Sequence, residues 1–102
     1  MYFLDSKTLY NRLKSSAKKR NIPFSLTISD LNNLSMPLTC PILNIPLKYH
    51  RGMPQDNSYS IDRIDPDKGY EIDNIWVISY KANRAKNNLS ESELKLLAKF
   101  YN

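Results

Sequence analysis

Ser60-Ile61-Asp62-Arg63-Ile64-Asp65-Pro66-Asp67-Lys68-Gly69-Tyr70-Glu71-Ile72-Asp73-Asn74-Ile75, followed by Ala82-Asn83-Arg84-Ala85-Lys86, decides the fold of this chain. Tyr59 to Ile64 alternates, with Tyr59, Ile61 and Ile64 apolar, which predicts a strand. Asp65-Pro66-Asp67-Lys68-Gly69 is turn chemistry, and we expect Gly69 to supply a positive φ. Ile75-Trp76-Val77-Ile78 is β-branched and aromatic, which predicts a second strand. A helix over about 79–86 follows directly. The order strand, turn, strand, helix gives an α+β class. If the helix packs across the hairpin, Asp62 and Asn83 approach one another. Oxygen-rich groups beside fixed cations suit a divalent metal and a phosphodiester.

Outward from this centre, Ser6 to about Arg20 reads as a helix. Leu9, Leu13 and Ala17 form its stripe, Tyr10 widens it, and Asp5 or Ser6 caps it. Arg12, Lys14, Lys18, Lys19 and Arg20 crowd its other faces. Each cation complements the helix dipole, and together they offer a phosphate-facing surface. Phe24 to Ile28 reads as a short extended piece. Thr27 or Ser29 then caps a short helix through Leu31 and Leu34. Cys40 to Leu47 is a tight turn between two short extended segments. Residues 51–57 read as the mobile loop. Ser90 and Glu93 form a capping box for a last helix, whose Leu94, Leu97, Ala98 and Tyr101 are expected to cover the core.

At 102 residues the chain is one domain's worth, with parts at 1–36, 37–88 and 89–102. A net charge of +5 and a pI of 9.4 favour an anionic partner, nucleic acid first. Cys40 is the only cysteine, so no intramolecular disulfide forms, and we expect a reducing compartment. No apolar run approaches a membrane span, and the N-terminus lacks signal-peptide character, so the expected location is cytoplasmic with no membrane partner.

Asp62-Arg63-Ile64, Gly69-Tyr70, Asn74 and Asn83-Arg84-Ala85-Lys86 together resemble the HNH (ββα-metal) nuclease motif. The Cys40-Pro41 pair resembles the knuckle that precedes that motif. The run from Ser60 to Lys86, with Cys40 to Leu47 before it, is similar to small HNH-type proteins of bacteriophages, which would place the protein in a host cytoplasm. The resemblance implies a ββα fold that grips one divalent ion, Mg2+ or Mn2+, and hydrolyses DNA phosphodiesters. It assigns Asp62 and Asn83 to the metal and Asn74 to bracing the loop. Lys86 matches a basic residue that commonly follows the final Asn. With Lys18, Lys19, Arg20, Lys81 and Arg84 it makes up the cations expected to meet DNA.

Two departures stand out. The family's general-base His is replaced by Arg63, whose guanidinium stays protonated and cannot accept a proton from water. Arg63 is instead expected to contact the phosphate. His50, the only histidine, becomes the candidate base, with Asp65 and Asp67 behind it. The zinc-binding Cys pairs of many members are also missing, apart from Cys40. No structural zinc is expected, and packing of Cys40, Leu43 and Ala82 is expected to take its place.

The leading expectation is a metal-dependent DNA endonuclease. The alternative is a degenerate HNH fold that binds DNA, or a protein such as a host nuclease it inhibits or modulates. A homodimer stays open as well: a two-fold dimer can cut both strands where a monomer nicks one.

Overall fold

The computed structural model describes residues 5–87 and 89–101. The first four residues, part of the signal-peptide expectation, lie outside this range. In chain order the elements are helix α1 (Ser6–Lys19), helix α2 (Ile28–Asn32), strand β1 (Tyr59–Arg63), a 3-10 turn (Ile72–Asn74), strand β2 (Ile75–Ser79), helix α3 (Tyr80–Lys86) and helix α4 (Glu91–Lys99). The strands form a two-stranded antiparallel sheet with Tyr59 opposite Ser79, Ile61 opposite Val77 and Asp62 opposite Trp76. Helix α3 packs on both strands, and α1 packs on α2.

Local chemistry sets the helix starts. Asp5 caps α1 by accepting the Thr8 N–H. Thr27, rather than Ser29, caps α2, with Asp30 closing a reciprocal box. Phe24 therefore makes only an isolated bridge to Tyr70, and Ile28 is already helical. The orphan N–H groups that begin α3 are each met. Tyr80 N donates to Ser58 O, Lys81 N to Asp56 O, and Ala82 N to the Ser79 hydroxyl. The end of the 51–58 segment is thus the cap of α3.

The core gathers Leu9 and Ala17 from α1, Leu26, Leu31 from α2, Leu47, Ile61 from β1, Tyr70, Ile75, Val77 and Ile78 from β2, and Ala82 from α3. Cys40 is buried among them. Its Sγ accepts N–H bonds from Leu43 at 3.5 Å and Ser79 at 3.3 Å. One sulfur thereby ties the 40–46 turn to the junction of β2 and α3. Burial alone pushes the thiol pKa up, but these N–H groups, the Ser79 hydroxyl and Ile42 more than offset it and leave the pKa below its ordinary value. Leu43 does not join that cluster as expected. It is 41 % exposed and contributes its backbone, because the turn points its side chain outward.

Two further expectations are corrected. Gly69 does not adopt a positive φ; among the described glycines only Gly52 does. Gly69 is required for close approach, since a Cβ there would lie 2.4 Å from Pro23 O and 2.8 Å from Pro23 Cβ. That contact lets Tyr70 N donate to Pro23 O and Ser25 N donate to Tyr70 O. Gly69→Ala should therefore lower the unfolding free energy by about 1–3 kcal/mol, measured by urea denaturation. An unchanged midpoint would show that the 23–25 strap yields freely.

Helix α4 has its capping box but does not cover the core. None of its residues is buried, Leu94 is only half-buried, and Leu97 and Tyr101 are 49 % and 83 % exposed. The sheet is already closed by α3, and the turn at Asn87, with φ 48°, carries the chain away. Among the described residues, no helix is long and apolar enough to cross a membrane.

Candidate active site

Side chains two apart on a strand share a face, as do side chains three apart on a helix. Ser60 and Asp62 make one such pair on β1, and Asn83 and Lys86 make another on α3. Packing α3 across β1 sets the pairs opposite each other as two rungs. On the first rung Asn83 Nδ2 donates to Ser60 Oγ at 2.7 Å and, at 3.4 Å, to Ile61 O. On the second, Lys86 Nζ lies 2.7 Å from Asp62 Oδ2.

The second rung is buried, with 8 % of the Lys86 side chain and 7 % of the Asp62 side chain exposed. The ammonium also donates to Arg63 O at 2.7 Å and reaches Ile64 O at 3.5 Å. Asp62 Oδ2 accepts a second bond, from Trp76 Nε1 at 2.8 Å. Trp76 is the cross-strand partner of Asp62, so the register itself delivers the indole. Burial of this kind requires pairing and hydrogen bonding of both charges. Lys86, grouped above with the phosphate-facing cations, is corrected on this geometry. Its charge is spent inside, on the carboxylate.

Asp62 and Asn83 line one cavity of about 470 Å³. Arg20, Arg63, Arg84 and Tyr80 line it as well. Three guanidinium groups against one carboxylate make the cavity attractive to an anion. Arg63 is held in place: one guanidinium nitrogen donates to Pro66 O at 2.8 Å and Lys68 O at 2.9 Å, over the Tyr70 ring. Arg84 lies over the Tyr80 ring and makes an exposed ion pair with Asp56 at 3.2 Å. Arg20 also lines a second groove on α1 with Arg12 and Lys19, which joins that helix to the cavity. Lys18 and Lys81 are exposed and line neither.

The Asn74 side chain is buried behind the cavity. Its Oδ1 accepts from Asp65 N, and its Nδ2 donates to Asp65 O and Gly69 O. This closes the 65–69 turn that holds Arg63. Asp65 Oδ1 accepts from Asp67 N, which fixes the same turn. His50 does not line the Asp62–Asn83 cavity. Its Nε2 pairs with Asn57 Oδ1 at 2.7 Å, and its ring faces an adjoining cavity. The sequence marked Trp76 only as a strand residue and did not bring it, or Arg20, to Asp62. The one local signal was the helical spacing of Asn83 and Lys86.

The candidate ligand atoms on Asp62 and Asn83, both lining residues of the cavity, are hard oxygens. Asn83 commits its nitrogen to β1, and Asp62 commits Oδ2 to Lys86 and Trp76, which leaves one oxygen on each for another ligand. Among the described residues, no three His, Cys, Asp or Glu side chains gather as a metal site. Two hard oxygens are a small set, of the ligand type that a cation such as Mg2+ takes when water and phosphate complete its shell.

No protein-family profile matches the chain, and no curated protein does. Among solved structures, it is similar to the rare-cutting HNH restriction endonuclease PacI, described for an extraordinary mechanism of DNA perturbation. The TM-score is 0.67 at 19 % identity, over 90 % of this chain and 72 % of that one. The likeness is one of fold: a small α/β structure with a two-stranded antiparallel sheet and helices, HNH-like in architecture.

Proposed function

We propose that the protein is an HNH-type endonuclease that hydrolyses DNA phosphodiesters with Mg2+ or Mn2+. The carrying observation is the shared cavity of Asp62 and Asn83, ringed by Arg20, Arg63 and Arg84, in a fold similar to that of an HNH restriction endonuclease. In the reaction, a water oxygen bonds to phosphorus as one P–O ester bond breaks; the water gives up a proton to solvent, and the departing oxygen takes one from solvent. Asp62 and Asn83 would hold the metal, which would supply stabilisation of the charge developing on the phosphoryl and leaving oxygens.

The chain's own residues do the rest. Lys86 and Trp76 fix the Asp62 carboxylate through Oδ2, so its other oxygen is the one on offer. Ser60 orients the Asn83 amide. Arg63 clamps the phosphate from a turn that holds its guanidinium still, and Arg20 and Arg84 offset charge on either side. No imidazole lines the cavity, so these residues contribute position and charge.

The Lys86–Asp62 pair also favours a second reading. A carboxylate already neutralised by a buried ammonium can belong to a fold that binds DNA without cutting it. Supercoiled plasmid separates the two. We expect nicking by the wild type in Mg2+ or Mn2+ and its loss in Asp62→Ala. Salt-sensitive DNA binding without cleavage in any divalent metal selects the binder.

A further inference from the structure

A second cavity, of about 710 Å³, lies between α1 and the segment around residues 49–54. It shares Ser60, Ile61 and Tyr80 with the Asp62–Asn83 cavity, so the two are neighbours across one wall. Its character is different. Leu9 and Leu13 give it an apolar side, Tyr49, Tyr80 and His50 supply aromatic edges, and Arg12 supplies a cation. His50 is fixed by Asn57, and the Tyr80 ring carries Arg84 at 5.1 Å from its centroid, so both rings are already oriented. Tyr49 is 45 % exposed and not otherwise used.

We propose that this cavity receives an unpaired nucleobase of the DNA whose phosphate lies in the neighbouring site. The inference rests on the nuclease reading above and adds the substrate class: DNA with an extrahelical nucleotide beside the scissile phosphate. Flat rings with an apolar flank are what a base stacks on. A guanidinium beside them can donate to the acceptor edge of a purine. A paired base stays in its stack, and extrusion costs least where the base is already unpaired.

The test uses the full chain and three labelled duplexes of one sequence, without metal so that nothing is cut. One is fully paired, one carries a single bulged 2-aminopurine, and one carries an abasic bulge. The bulged base should bind about tenfold tighter than the other two, the size of one stacked base. Its fluorescence should fall as it stacks. Tyr49→Ala should abolish the preference and leave affinity for the paired duplex unchanged. Equal affinity for all three duplexes overturns the proposal, and so does equal preference for the abasic bulge, which reports bendable DNA. In either case the nuclease reading stands if plasmid is still nicked. Salt-insensitive or absent binding to every duplex overturns the proposal, and if plasmid is also not nicked in Mg2+ or Mn2+ the nuclease reading falls with it.

Discussion

Lys86→Met should lower the unfolding free energy by about 3–5 kcal/mol. Methionine keeps the apolar stem, so the change removes little but the ammonium. What stays behind is a carboxylate with 7 % of its side chain exposed, bonded only to the Trp76 indole, and an Arg63 carbonyl stripped of its donor. Leaving a buried charge without its partner is among the most damaging single changes a small domain meets. Domains of this kind have about 5–15 kcal/mol in total, so the variant should unfold at far lower urea. Trp76, the only tryptophan, reports the transition from inside the site. Asp62→Asn together with Lys86→Met should cost clearly less than the sum of the two single changes, because the pair is then removed as a unit. Wild-type stability in the single variant would mean that the ammonium sits in water.

The second large effect concerns the turn. Asn74→Asp should destabilise by about 3 kcal/mol, since buried groups deprived of a partner cost about 1–3 kcal/mol each. Aspartate has the same shape and still accepts from Asp65 N. It loses both donors, however, and sets a carboxylate oxygen against the carbonyls of Asp65 and Gly69. The damage should be local as well as global. Amide exchange at Asp65 and Tyr70 should speed up, because the 65–69 turn opens. The Arg63 guanidinium is held by Pro66 O and Lys68 O of that same turn, so its place in the cavity should go with it. A variant with unchanged exchange at those amides would show that the backbone closes the turn without help.

Much of this architecture could be read from local residue chemistry. The periodicity of Leu9, Leu13 and Ala17 marked α1, the cap candidates Thr27 and Ser29 marked the start of α2, and the box at Ser90 marked that of α4. The alternation before Asp65 and the β-branched run after Asn74 marked the hairpin. What stayed hidden depends on long-range packing. A lysine near a helix end reads as a solvent-facing cation until the carboxylate below it is placed. The Trp76–Asp62 bond depends on register, and register depends on how many residues the 64–74 connection absorbs. A glycine in a turn reads as a positive-φ residue, whereas Gly69 answers to a proline 46 positions earlier in the chain. The exposure of α4 was hidden for the same reason: an amphipathic stripe says that a face is apolar and not what will cover it.

The carbonyls of Asp56 and Ser58 that finish the first turn of α3 make the loop and the helix one mechanical part. Whatever fills the space between α1 and that loop leans on the segment that seats Asn83. A shift of the 56–58 backbone would therefore be felt first at the start of the helix that carries Asn83.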